Sequence, residues 1–185
     1  MKKLSALLLC LALLLGMLSL ALPASAARTD SAALAAEVLR LTNAERAVRL
    51  RRSLRGTNAG LNAAAQKRAK EIASNLPSSF GHTRPDSRAW STVSEEYPLG
   101  QWVFIGENVA YGQTTPERVV KAWMDSKGHK ENILGSYTHM GVGVYQDSAG
   151  TYYWCQLFLN DGSYRGVLSF LRLLLRYLTF GWLFN

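Results

Sequence analysis

The order in which two hydrophobic periods occur along the chain constrains its fold more than any other feature. Steps of three and four residues come first, β-branched and aromatic runs come last, and the two never alternate. Between residues 31 and about 52, Leu34, Val38, Leu41, Ala44 and Val48 fall on one stripe of a first helix. Leu61, Ala65, Ala69 and Ile72 repeat the pattern over residues 61–75, with Lys67, Arg68, Lys70 and Glu71 expected to face outward. Residues 56–60 read as the turn between them, and Pro77-Ser78-Ser79 stops the second helix. Thr115-Pro116-Glu117 opens a third helix: threonine caps, proline is preset for the first position, and glutamate complements the helix dipole. Val119, Val120 and Trp123 give it a buried face, Gly128 is expected to end it, and residues 130–134 add a short helical turn. Two strand-like runs, residues 140–145 and 151–158, flank Asp147-Ser148-Ala149-Gly150 and read as an antiparallel hairpin. Gly141 and Gly143 weaken the first strand's own propensity, so another backbone or side chain is expected to approach closely there. Helices ahead of strands, without βαβ alternation, indicate an α+β fold with an antiparallel sheet.

The amino terminus carries Lys2 and Lys3, an apolar run over residues 4–22, and then Pro23-Ala24-Ser25-Ala26. This reads as a signal peptide over residues 1–26 cleaved after Ala26, so that the domain is expected in a secreted, extracellular setting, with or without association with the cell surface. The run approaches spanning length, so a retained membrane anchor is the alternative. Cys10 follows Leu9 rather than a small residue and is not read as a lipid-attachment site. Cleavage would leave 159 of the 185 residues, enough for one domain with its own core. Cys155 would then be the one remaining cysteine, so no intrachain disulfide is available and a buried, inert thiol is expected.

Loss of Lys2 and Lys3 lowers the net charge from +8 to +6. Arg46, Arg49, Arg51, Arg52 and Arg55 supply much of it, either as a solvated helix face and loop or as an attraction to an anionic surface. No motif points to a specific nucleic-acid interface.

Three histidines, His82, His129 and His139, each sit among turn formers and polar neighbours rather than on an apolar stripe. Gly106-Glu107-Asn108 reads as a turn within an otherwise aperiodic stretch, residues 80–111, that suits the loop-rich wall of a site. Glu107 either joins the histidines in that site or accepts backbone hydrogen bonds that hold the loop. Trp90 and Trp102 are placed to line a cleft, whereas Trp123 reads as core.

Five blocks in order carry a family resemblance: Phe80-Gly81-His82-Thr83-Arg84-Pro85, Gly106-Glu107-Asn108-Val109-Ala110-Tyr111-Gly112, Val120-Lys121-Ala122-Trp123-Met124, Gly128-His129-Lys130-Glu131-Asn132-Ile133-Leu134, and Tyr137-Thr138-His139-Met140-Gly141-Val142-Gly143. Over about residues 34–158 the chain resembles bacterial CAP-domain, or SCP-like, proteins. The resemblance implies a three-layer α-β-α sandwich over residues 31–160, with a broad cleft where histidines and acids gather and where a divalent metal such as zinc is often held. By position, His82 matches the first cleft histidine, Glu107 the Gly-Glu-Asn acid, and His139 or His129 the later histidine. Metal ligands would then be His82, His139 and Glu107. Other relatives carry a glutamate after the helix-three tryptophan where this chain has Asp125-Ser126, so Glu131 or Asp125 would complete the set. The implied function is an extracellular binding module for a small hydrophobic ligand, such as a lipid or sterol, or for a cell-envelope component.

The alternative is a metal-assisted extracellular hydrolase acting on peptide, nucleic acid or wall polymer. Two imidazoles and a carboxylate suit zinc with an open position. No His-Glu-x-x-His helix or nucleophile block accompanies them, and Ser-His-Glu catalysis from Ser126 or Ser136 is the remaining covalent option.

Residues 164–185 are apolar but include Arg165, Arg172 and Arg176, which a helix would gather on one narrow face. Contact with a membrane surface, self-association and packing on the domain's own helices are the three ways to cover them. A full span is disfavoured because each mid-depth arginine costs ~2.5–3.5 kcal/mol.

Overall fold

The computed structural model describes residues 24–75 and 81–163. The expected signal peptide lies outside the described residues except for Ala24–Ala26, which begin the first helix, and the apolar tail 164–185 lies outside them too.

Helix α1 (Ala24–Ala47) carries the first stripe, with Val38 fully buried and Leu34, Leu39 and Leu41 packed beside it. It ends earlier than the periodicity suggests. Arg46 turns inward, donating from Nε to Arg52 O at 2.7 Å and from Nη1 to Ile133 O at 2.6 Å and Gly135 O at 2.9 Å. These bonds draw the chain back on itself, Leu50 takes a positive φ of 56°, and Val48 is left 76 % exposed rather than in the core. Helix α2 (Ala59–Asn75) is capped by Asn58, whose Oδ1 accepts from Leu61 N at 2.8 Å.

A 3-10 turn (Trp90–Glu95) precedes strand β1 (Phe104–Tyr111). Helix α3 (Pro116–Asp125) follows with the expected start, the Thr115 side chain accepting from Arg118 N. The break after α3 is Ser126, in extended conformation, not Gly128, which lies inside helix α4 (Lys127–Ile133). Strands β2 (His139–Gln146) and β3 (Tyr152–Asn160) form the expected hairpin. Asp147 shapes its turn by accepting from Ala149 N and Thr151 N.

The sheet runs β1-β3-β2, antiparallel throughout. Alternation along the strands sends Ala110, Met140, Val142, Val144, Trp154 and Phe158 to one face under α1, α3 and α4. Val109, Tyr153, Cys155, Leu157 and Leu159 point to the other, under α2 and the 3-10 turn. The result is a three-layer α-β-α sandwich. A Cβ at Gly141 would fall on the Leu61 carbonyl, and one at Gly143 on the Ala65 carbonyl. Helix α2 therefore sits directly on the backbone of β2, the close approach expected from the two glycines.

Both sheet edges are covered, which blocks edge-to-edge pairing. On β1, Trp123 Nε1 donates to Val109 O and Asn132 Nδ2 to Glu107 O. On β2, the Gln66 amide grips Val144 twice, donating to its carbonyl at 2.9 Å and accepting from its N–H at 3.1 Å.

Candidate functional site around His82 and Glu107

Glu107 lies in the middle of β1, not in a turn as the glycine and asparagine beside it suggest. Its side chain projects toward α2 and is fully buried. Both carboxylate oxygens are engaged by side chains: Oε1 accepts from Arg68 Nε at 2.8 Å, and Oε2 lies 2.7 Å from His82 Nδ1. It accepts no backbone hydrogen bond among the described residues, so the loop-fixing alternative does not describe it.

Arg68 is the principal correction to the sequence reading. Expected to face solvent, it is buried on α2 beneath the His82 loop, with Glu71 beside it. Its guanidinium spans Glu107, Glu71 Oε2 at 2.8 Å and the Gly81 carbonyl at 3.3 Å. Glu71 also binds Arg84 Nη2 at 2.7 Å, and Arg84 Nη1 reaches Glu96 at 2.5 Å. An unbroken chain of charges thus runs from strand β1 through α2 to the loop that carries His82. Isolated buried charges would cost several kcal/mol each; here every member has an opposite partner. One signal was available: position 68 falls three residues after Ala65 and four before Ile72, within the α2 stripe itself.

The network sets the proton affinities. The hydrogen bond to Glu107 raises the His82 pKa above its ordinary value, against the effect of burial. Burial by itself would raise the Glu71 carboxyl, but hydrogen bonds from Arg84 and Arg68 outweigh it and hold it low. With Glu107 as the acceptor, the proton sits on His82 Nδ1. Nε2 is then the ring nitrogen left for other partners, on a side chain that is 54 % exposed.

His129 belongs to the same neighbourhood. Asn108, next to Glu107 but pointing to the opposite face, donates from Nδ2 to the His129 carbonyl at 3.1 Å. Its Oδ1 accepts from Asn132 Nδ2 at 2.9 Å, so the Gly-Glu-Asn and Gly-His-Lys blocks are stitched together. The His129 pKa is lowered, first by burial and then by the charge of His82.

His139 stands apart, at the start of β2 two strands from β1. Its Nδ1 is 3.0 Å from Thr138 Oγ1 and 3.7 Å from Asp161 Oδ2, and burial lowers its pKa. Glu131 is exposed on α4, and Asp125 is paired with Lys121 at 2.6 Å. Neither forms a hydrogen bond with the His82–Glu107 pair among the described residues, and Ser126 and Ser136 form none with a histidine. Trp90 packs against the α2-side core, Trp102 is exposed at the surface, and Trp123 is core as expected. Cys155 is wholly buried, and burial raises its pKa, as an inert thiol requires.

Of His82, His139 and Glu107, the fold brings His82 and Glu107 together and leaves His139 beside Thr138 and Asp161. Glu107 is committed on both oxygens, and among the described residues no three His, Cys, Asp or Glu groups gather as an ion site. A carboxylate on Nδ1 that leaves Nε2 free is nevertheless the arrangement that orients a ligating histidine.

Comparison with known proteins agrees with this architecture. The model of the CAP, cysteine-rich secretory protein, family matches residues 39–158. The uncharacterized protein YkwD of Bacillus subtilis is 34 % identical over 125 residues, covering 67 % of this chain and 46 % of that protein. The uncharacterized membrane protein YlbC of the same organism is 48 % identical over 77 residues, 35 % of this chain and 22 % of its own length. The chain thus spans less than half the length of either relative. Among solved structures, an extracellular SCP-domain protein of Bacillus anthracis superposes with a TM-score of 0.66 at 22 % identity, covering 75 % of this chain and 44 % of that one. An outer surface protein of Borrelia burgdorferi gives 0.59 at 19 % identity, covering 67 % and 90 %. The family match extends over more than half the chain and takes in all the blocks that build the His82–Glu107 site, and on that ground the protein belongs to the CAP, or cysteine-rich secretory protein, family.

Proposed function

We propose that this protein is an exported binding module whose ligand is received at the exposed face of His82, with His129 near enough to feel its charge, and with no bond-making chemistry of its own. The observation that carries this reading is the double engagement of Glu107. A carboxylate held by Arg68 on one oxygen and His82 on the other is an orienting group, not a base free to activate water. What the dyad presents to solvent is an imidazole edge of raised basicity, which can donate to or accept from a polar ligand group. Extracellular and outer-surface neighbours support an envelope location. A cell-envelope component, or a small hydrophobic molecule with a polar head, is the ligand class proposed.

The test is capture of lipid and cell-wall extracts by the wild-type protein and by His82→Ala and His129→Ala variants that melt normally. Loss of the captured component in both variants supports the reading. Equal capture by all three would place the binding elsewhere.

The orientation of His82 by Glu107 favours a second reading, an ion held by His82 and His129, whose role would be to polarise a bound ligand. Zinc titration by calorimetry separates the two: heat lost in both histidine variants supports it, and no heat from the wild type removes it.

A further inference from the structure

A hollow of about 700 Å³ lies open between α1 and α2, with the buried side chains of Met140 and Val142 at its base. The two helices lie on opposite faces of the sheet, so a hollow that both line wraps the outer edge of β2. Its lining runs from Ser31 to Leu39 on α1 and from Asn62 to Lys70 on α2, a length of about 12 Å at the helical rise. The α1 wall is apolar, with Ala32 and Ala36 exposed and Leu39 half-buried. The β2 edge is already braced at both ends. Arg55 N donates to Thr138 O and its carbonyl accepts from Met140 N, while the Gln66 amide holds Val144. A strand added here would displace these braces, so what the hollow accepts is side chains.

The chain leaves the described domain at one end of this hollow. After β3 it passes the start of β2, where Asp161 Oδ2 lies 3.7 Å from His139 Nδ1 and 3.0 Å from Arg55 Nη2. Arg55 bridges to His139 on the outer side of β2 and donates from Nη2 to Ser163 Oγ at 3.1 Å. The next residue, Gly56, lines the hollow, and a Cβ there would fall on the Leu39 side chain. Beyond Ser163, Tyr164, Arg165 and Gly166 precede an apolar stretch. Counted in helical steps, Val167, Phe170, Leu174 and Leu178 share the side opposite Arg165, Arg172 and Arg176. At the helical rise, Val167 to Leu174 covers about 10 Å, which matches the length of the hollow.

We propose that Val167, Phe170 and Leu174 of the same chain fill this hollow, so that the segment after β3 closes over the β2 edge and ties α1 to α2. The three residues that precede Val167 reach up to about 10 Å, enough to pass from Ser163 to the Gly56 end. The glycine among them eases the turn. Tethering supplies the segment at about millimolar effective concentration, which favours it over a second copy or an unattached apolar molecule. On this arrangement Arg165, Arg172 and Arg176 face solvent, away from the hollow. The proposal is independent of the ligand reading for His82, because none of its residues belongs to the Glu107 network.

The experiment is disulfide trapping in the exported chain, residues 164–185 included. Ala36→Cys is combined in turn with Val167→Cys, Phe170→Cys and Leu174→Cys. In the control, Glu131→Cys on α4, beside the opposite edge of the sheet, takes the place of Ala36→Cys. Cys155 is buried and does not compete. At least one Ala36 pairing is expected to close within the monomer at least about tenfold faster than its control. Chymotrypsin cleavage after Phe170 gives the second readout. Ala32→Glu with Ala36→Lys sets an i,i+4 charge pair in the hollow at unchanged net charge, and is expected to speed that cleavage at least about tenfold. Links that form only between chains would overturn the proposal in favour of a second copy. So would trapping no faster than the control, or equal cleavage of variant and wild type, either of which places the segment elsewhere.

Discussion

Replacing Arg68 by methionine tests the internal logic of the site most severely, because the substitution keeps length and apolar bulk while deleting a charge with a side chain only 1 % exposed. Glu71 would retain Arg84, but the fully buried Glu107 would retain only His82 and the weak donor Cys155 Sγ at 3.9 Å. Breaking a buried ion pair by removal of one partner costs ~3–5 kcal/mol. At a urea slope of ~2 kcal/mol/M this lowers the midpoint by about 2 M, and it lowers the melting temperature by on the order of 10 °C. The assay is urea unfolding followed by circular dichroism, paired with Glu107→Gln and the Arg68→Met/Glu107→Gln double variant. The double variant is expected to cost less than the sum of the singles by ~1–2 kcal/mol, since no stranded carboxylate remains. A loss below ~1 kcal/mol for Arg68→Met, the range of exposed ion pairs, would refute the reasoning.

Gly143→Ala places a methyl group against the Ala65 carbonyl and should cost ~1–3 kcal/mol in urea unfolding, whereas a neutral result would mean that α2 lifts freely from the sheet. Thr115→Ala removes the cap of α3 and should cost ~1 kcal/mol, read as a lower thermal midpoint. Because His82 is raised above about 6.5, its contribution is fully present below that pH and lost as pH rises through the folded value. His129 is depressed, so its contribution is present above about 6.5 and lost as pH falls through the folded value. Unfolding curves in this window should therefore lose the alkaline-side component in Glu107→Gln and the acid-side component in His129→Gln, and identical pH profiles in all three proteins would contradict both assignments.

The helical stripes and the β2–β3 hairpin were legible because their buried faces are apolar and regular. Gly141 and Gly143 were informative in the same way, as missing side chains that mark where α2 must lie. Strand β1 was not legible, because Gly106, Glu107 and Asn108 break any alternation, and their burial depends on partners distant in sequence. The same reason hid Arg68 and Glu71: a charged residue on a helix reads as solvent-facing until the opposing carboxylate or guanidinium is known. Val48 followed the stripe but not the helix, since the inward turn of Arg46 stops α1 at Ala47. Of the histidines, His82 and His129 stand in blocks that the Glu107–Asn108 segment joins. His139 follows an equally polar turn, yet its strand register carries it to Asp161.

The proton on His82 reports most directly whether Glu107 holds the ring as described. Nitrogen-detected imidazole spectra over a pH series should show His82 titrating above 6.5 with its neutral form protonated at Nδ1, and His129 titrating below 6.5. In Glu107→Gln the His82 midpoint should drop. A His82 that titrates at or below the ordinary value in the wild type, carries its neutral proton on Nε2, and ignores the loss of Glu107 would contradict the account.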